Sequence, residues 1–256
     1  MLESWTTLSH LAAVTERIRL GPLVAGITYR NVAHLGKIVA TLDVLSGGRA
    51  ICGLGLAWYE DEHRAYGFRF PSRDDRYALL EDALALLPRL WGPGAKPFDG
   101  RVLHVLDTSC YPRPLQAHVP ILVGGSGERR TLRLVARAAD ACNLFGEPDV
   151  VAAKVDVLRR HCADAGRDPA DVSITHLGTV LVGEDAAEVA ALVEGHRPPR
   201  TSAERFARGV HAGTVGQHVE RVRRYVDAGV DHVIVSLVGV GEAALARYGQ
   251  VIAACR

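Results

Sequence analysis

Short runs rich in apolar and β-branched residues alternate with longer stretches of helical period along almost the whole chain. A strand followed by a crossover helix feeds a parallel neighbour, so this order calls for a parallel α/β sheet covered on both faces. The strands are expected at 19–28, 49–56, 121–123, 141–145, 174–182 and 232–237. The second of these is almost continuously apolar, as a strand buried on both sides should be. Helical spacing opens the chain through Trp5, Leu8, Leu11, Ala12 and Ile18. It recurs over 32–45, 72–91, 129–139, 148–165, 186–194, 214–228 and 242–254. Ser72 with Asp75, and Thr214 with Gln217, have the spacing of capping boxes. The segment 101–114 reads as an irregular hairpin.

Six strand–helix units suit either a doubly wound sheet or a (β/α) barrel, and no linker divides them into domains. The reading is therefore one domain over 1–256. A closed barrel of this type needs eight strands. The chain opens with a helix that no strand precedes, so a strand–helix–strand unit of at least ~30 residues is expected upstream of Met1.

Composition narrows the function. Thirty Lys and Arg against 29 Asp and Glu give a net charge of +1, which offers no electrostatic reason for nucleic acid or an anionic membrane. A small-molecule substrate and other copies of the chain, as a homo-oligomer, are the expected partners. Cys52, Cys110, Cys142, Cys162 and Cys255 are odd in number and never spaced as C-x-x-C, which speaks against a disulfide framework or a zinc site and for a reducing cytoplasm. No apolar run reaches the roughly 18 residues of a membrane span.

Two glycine-rich strings bear on chemistry. GLGLAW, 53–58, has Trp58 where a dinucleotide fingerprint needs its third glycine. Gly53 and Gly55 then face a crowded interior or let a flat ring approach the backbone. GGSGERRTLRLVARAAD, 124–140, joins a strand to a helix and aims backbone N–H groups, with Arg129 or Arg130, at an anion such as a cofactor phosphate. A tight turn with solvated arginines explains the same residues, and Ser126 equally suits an N-cap. In TLDVLSGGR, Asp43, Ser46 and Arg49 are read as structural. Glu60, Asp61, Glu62 and His63 lack zinc-helix spacing and read as a solvated loop. No histidine belongs to a recognisable triad.

Taken together, RIRLGPLVAGITYRN, TLDVLSGGR leading into GLGLAWYEDEHRAYG, GGSGERRTLRLVARAADACNLFG, GRDPADV and AGTVGQHVERVRRYVDAGVDHVIVSL resemble the bacterial luciferase-like superfamily along essentially the whole chain. The resemblance is strongest to actinobacterial F420-dependent oxidoreductases. It implies an α/β (β/α)8 TIM barrel, here without its first two strands, that binds deazaflavin F420, or alternatively FMN, at the carboxyl ends of the strands. Leu23 and Val24 would be joined by a cis peptide at a strand bulge backing the ring. Leu56 and Ala57 would run beside the cofactor. Gly124, Gly125, Ser126 and Gly127 would hold its phosphate, with Arg129 a weaker charge partner. Tyr29, Trp58 and the hairpin near Cys110 to Pro112 would wall the substrate pocket. The implied activity is F420-dependent hydride transfer with a small organic substrate. Reduced-FMN monooxygenation and a non-catalytic flavin-binding or partner subunit are the alternatives, and no residue is implied as catalytic acid or base.

Overall fold

The computed structural model describes every residue except Met1 and Ala95. The chain packs as two compact units, Met1–Cys142 with Leu158–Val172, and Asn143–Val157 with Ser173–Arg256.

The first unit contains α1 (Ser4–Val14), β1 (Ala25–Gly26), α2 (Val32–Leu45), β2 (Cys52–Gly55), α3 (Glu60–Ala65) and α4 (Arg73–Trp91). The hairpin β3 (Phe98–Asp99) and β4 (His104–Val105), then β5 (Ile121–Gly124) and α5 (Thr131–Ala138), follow. β1, β2 and β5 are parallel neighbours, with Gly26 opposite Gly55 and Leu54 opposite both Ala25 and Val123. All four residues of β2 are buried. Burial correspondingly pushes the Cys52 thiol up. α2 starts where the Asn31 side chain accepts from His34 N at 3.0 Å. It buries Leu35, Val39 and Leu42 on one stripe. Gly36 lets α4 approach: a Cβ there would meet Leu90 at 2.8 Å, and Trp91 Nε1 donates to its carbonyl at 2.9 Å.

TLDVLSGGR is structural, but Asp43 and Arg49 serve different segments. Arg49 donates to the carbonyls of Ala12, Thr15 and Ile18 at 2.7 to 3.0 Å, stitching the exit of α1 to the turn before β2. Asp43, fully buried at the end of α2, accepts from the amides of Leu115 and Gln116 at 2.7 and 3.0 Å and from Gln116 Nε2 at 2.6 Å. Asp82 on α4 does the same for the amides of Arg101, Val102 and Leu103, at 3.0, 2.7 and 2.9 Å. The hairpin therefore turns at 100–103 and pairs Phe98 with Val105, earlier than the expected 101–114.

β6 (Ala141–Leu144) and α6 (Pro148–Asp164) contribute residues to both units. The second unit holds β7 (Ser173–Val180), β8 (Val182–Gly183), α7 (Ala186–His196), α8 (Ala203–Gly209), β9 (Gly213–Thr214), α9 (Val215–Asp227), β10 (His232–Leu237) and α10 (Glu242–Ala254). β7 and β10 are parallel from Thr175 opposite His232 to Val180 opposite Leu237. The run expected as one strand over 174–182 divides at Leu181, whose amide donates to the Val210 carbonyl at 3.0 Å, so that β8 pairs with β9 instead. α8 starts after Ser202, whose hydroxyl accepts from Arg205 N at 3.2 Å. The Thr214–Gln217 capping box at α9 is formed. Val180, Val182, Val219, Tyr248 and Val251 make the apolar core here.

Beside that core, His176 stacks on Tyr225 at 4.0 Å, and the Tyr225 hydroxyl donates to the Gly146 carbonyl at 3.0 Å. Arg221 bonds both Glu147 carboxylate oxygens at 2.8 and 2.9 Å. His218 donates to the Leu181 carbonyl at 3.2 Å. Burial holds the imidazoles of His176, His211 and His218 below their ordinary value, and the Arg221 charge pushes the same way.

Two outcomes follow. Asp43→Ala strands the half-buried amides of Leu115 and Gln116 and removes the buried bond from Ala50 N, and should cost about 3 kcal/mol of unfolding free energy, measured from the urea midpoint. The histidines protonate more readily in the unfolded chain, near pH ~6.5, than in the folded one, so their contribution is complete above that pH and is lost as pH falls through the depressed folded-state values. The urea midpoint should fall on acidification from about pH 7.5 to about 5.5. His176→Phe, which keeps the stack on Tyr225, should flatten that dependence.

Candidate functional site

Parallel α/β units leave the loops after the carboxyl ends of the strands free to carry chemistry, because the helices cover the faces. In the first unit these loops lie at 27–31, 56–59 and 125–130.

The register sets a row of glycines across the strand ends. Gly26 pairs with Gly55, and Gly55 follows the residue that pairs with Val123, next to Gly124. The Val24 side chain lies on this row: a Cβ on Gly55 would meet Val24 Cγ2 at 2.6 Å, and one on Gly124 would meet both Val24 methyls at 3.0 Å. The chain before Val24 presses as closely on β2, where a Cβ on Gly53 would fall 1.8 Å from the Pro22 carbonyl oxygen. GLGLAW therefore has glycines where a neighbouring segment of the same chain crosses the strand. The peptide bond between Leu23 and Val24 is cis.

Ala57 ends the next strand in the left-handed region, with φ of 60°. Its carbonyl accepts from Arg76 Nη1 at 2.6 Å, and the Arg76 guanidinium lies over the Phe70 ring at 4.1 Å. Arg76 on α4 thus fastens the strand-end backbone at Leu56 and Ala57. The Tyr29 ring covers Gly26, and its hydroxyl donates to Glu62. Burial first, and Glu62 second, push the Tyr29 hydroxyl up to about 12. Trp58 is 84% exposed, its ring 5.3 Å from that of Tyr59.

Glu60 to His63, expected as a solvated loop, belong to α3, and His63 is fully buried. The Tyr59 carbonyl, 2.8 Å from His63 Nδ1, can only accept, so Nδ1 carries the proton and Nε2 takes the Thr28 hydroxyl at 2.6 Å. The Tyr29 ring lies 4.3 Å from this imidazole and Phe70 lies 4.7 Å from it. Sequence reading missed His63 and Arg76, because each acts on a partner distant in the chain.

Gly124 to Gly127 form the turn into α5. Gly125 has φ of 137°, and a Cβ on Gly127 would lie 2.9 Å from Thr131 Oγ1, which is bonded to the Tyr77 hydroxyl at 2.9 Å. α5 starts at Thr131 with Arg130 at its cap position, so Ser126 is not the N-cap. Among the described residues Arg129 has no ion-pair partner, whereas Arg130 pairs with Asp74 and lies over the Tyr77 ring. A glycine-rich turn, a helix start and an uncommitted guanidinium fit a phosphate-bearing group.

The hairpin around Cys110 to Pro112 is not at this edge. Its continuation at Leu115 and Gln116 is held by Asp43 and by the Ala50 carbonyl, at the amino end of β2, so it cannot wall a pocket at the carboxyl ends. Tyr29, Leu56, Ala57 and Gly124 to Gly127 do come from the carboxyl-end segments of β1, β2 and β5, while Leu23 and Val24 immediately precede β1 and reach this row through the Val24 side chain.

Gly55→Ala should drive Val24 off its shelf. The expected loss is about 1 to 3 kcal/mol in thermal or urea unfolding, with changed amide signals from Leu23 to Gly26.

Residues 1–232 match the family described as luciferase-like monooxygenase. A protein of Mycobacterium tuberculosis carrying no assigned function is 34% identical over 167 residues, 65% of this chain and 58% of that protein. An F420-dependent glucose-6-phosphate dehydrogenase of Microbacterium testaceum is 28% identical over 256 residues, covering 89% of this chain and 74% of that one. The solved F420-dependent tetrahydromethanopterin reductase of Methanopyrus kandleri superposes with a TM-score of 0.81 at 19% identity, over 100% of this chain and 88% of that one. The fold is thus α/β, of the luciferase-like TIM-barrel type. Among the described residues no helix is long and apolar enough to cross a membrane. The chain belongs to the luciferase-like monooxygenase family.

Proposed function

We propose that this chain binds coenzyme F420 and takes part in hydride transfer with a small organic substrate. The observation that carries the reading is the glycine row under Val24 beside the Gly124–Gly127 turn, which provides an apolar backing and an anion cradle on one strand edge. When bound, F420 supplies a ring carbon that gives or accepts a hydride. Val24, seated on Gly55 and Gly124, backs one ring face and keeps water from it. The backbone at Leu56 and Ala57, fastened by Arg76, lies along the ring edge. The 124–127 turn and Arg129 hold the phosphate. Tyr29, uncharged at neutral pH and anchored to Glu62, and Trp58 line the side where the substrate enters. Relatives whose names carry F420 support the choice of cofactor. The family's monooxygenase description supports reduced FMN as the second reading, since FMN presents a ring and a phosphate to the same residues.

Titration of the purified chain with F420 and with FMN, followed by ring absorbance and fluorescence, checks both readings. Saturable F420 binding at least about tenfold tighter than FMN is expected. Gly125→Asp, which sets a carboxylate in the phosphate turn, should weaken F420 binding by a far larger factor than the backbone strain at its φ of 137° lowers thermal stability. Tighter FMN binding would install the second reading, and no binding of either would remove both.

A further inference from the structure

We infer that the substrate of the candidate site is a flat, uncharged, conjugated compound that stacks on Trp58, and not a sugar phosphate. The inference rests on the F420 reading above, which gives the phosphate turn and Arg129 to the cofactor and leaves the loops at 27–31 and 56–59 to the substrate.

Those two loops are rich in rings and poor in charge. They carry Tyr29, Trp58 and Tyr59, and Arg30 is their one charged residue. Arg30 is committed to Glu3, and the Asn31 side chain accepts from His34 N at 3.0 Å at the start of α2. Glu60, Asp61 and Glu62 follow the second loop at once, and over 58–70 these three acids outnumber Arg64 and Arg69. Arg64 is itself 3.1 Å from Glu60 and 3.8 Å from Asp61, while Arg76 is turned to the Ala57 carbonyl. A phosphate dianion on this side meets a negative rim at close range, where the local field and not the net charge of the chain acts on it.

The rings are placed to receive a flat ligand. Tryptophan is highly buried on average, because its large apolar area gains from leaving water. Trp58 is nevertheless 84% exposed and Tyr59 49% exposed, with ring centroids 5.3 Å apart and planes 35° from each other. Both follow the left-handed turn at Ala57. Tyr29 stands at the same strand end: a Cβ on Gly26 would lie 2.8 Å from its ring and 3.0 Å from Ala57 Cβ. Phe68 meets the Tyr29 ring edge-on at 5.3 Å, and the hydroxyl is tied to Glu62, so this ring is a fixed wall. An aliphatic ligand would gain burial alone against such a surface, whereas a conjugated one adds ring–ring attraction.

The test loads the full chain with saturating oxidised F420, which cannot pass a hydride to a ketone, and measures binding of three compounds by equilibrium dialysis. They are 2-acetylnaphthalene, its saturated counterpart 2-acetyldecalin, and glucose 6-phosphate, the compound in the name of the Microbacterium testaceum relative. The parent chain is compared with Trp58→Ala and Trp58→Phe. Because Trp58 is exposed, both variants should keep the urea midpoint and the F420 affinity of the parent. The parent should bind 2-acetylnaphthalene about fivefold tighter than 2-acetyldecalin, and glucose 6-phosphate should show no saturable binding. Trp58→Ala should erase the preference and Trp58→Phe should retain part of it. Equal binding of the two ketones, a preference that survives in Trp58→Ala, or saturable binding of glucose 6-phosphate overturns the inference and leaves the F420 reading intact. Loss of F420 affinity in Trp58→Ala also overturns it, since the indole would then serve the cofactor. Failure of the parent to bind F420 removes the F420 reading and this inference with it.

Discussion

The contact between Val24 and the glycines beneath it governs the candidate site. Close-packed interiors leave no spare volume, and here the side chain of one segment occupies the space that Cβ atoms would take on the two strands beside it. The parallel register makes this possible, because it sets Gly26, Gly55 and Gly124 side by side at the carboxyl ends. Moving any one strand by a residue would put Leu54 or Val123 under Val24 and reverse the faces of that strand.

Around this contact the first unit is held largely by polar side chains that bind backbone rather than one another. Asp43 and Asp82 each gather amides from loops far along the chain, Arg49 collects carbonyls at the end of α1, and Arg76 holds Ala57. Arg167 likewise donates to the Ala139 carbonyl at 2.8 Å, at the end of α5. A buried charge is tolerable when several dipoles turn toward it, and each such group then fixes a loop in place. The second unit contrasts with this: its His176, Tyr225, Arg221 and Glu147 cluster sits among side chains, and its neutral imidazoles tie stability to pH.

The near-zero net charge conceals an uneven distribution. Acidic residues cluster on α3 and α4, while arginines line grooves beside α5. Electrostatic reasoning from net charge rightly bears on long-range attraction to polyanions, but a short anionic ligand responds to the local potential within a Debye length of about 8 to 10 Å.

What the sequence determined by itself is the local order of the chain. The helices 32–45 and 242–254 and the strand 232–237 were legible to the residue, because hydrophobic period and β-branched runs are properties of consecutive residues. The family resemblance implied the cis bond at 23–24, which is present, and pointed to 56–57 and 124–127 as cofactor-binding segments. Only the tertiary structure decided what the glycines accommodate, since Val24 reaches Gly124 across some hundred residues of chain. It also decided that His63 is buried against Thr28, that Arg76 serves Ala57 and that the run through Leu181 breaks to pair β8 with β9. In each case the partner is supplied by packing between distant segments, and a period of two or 3.6 residues carries no information about which distant segment arrives.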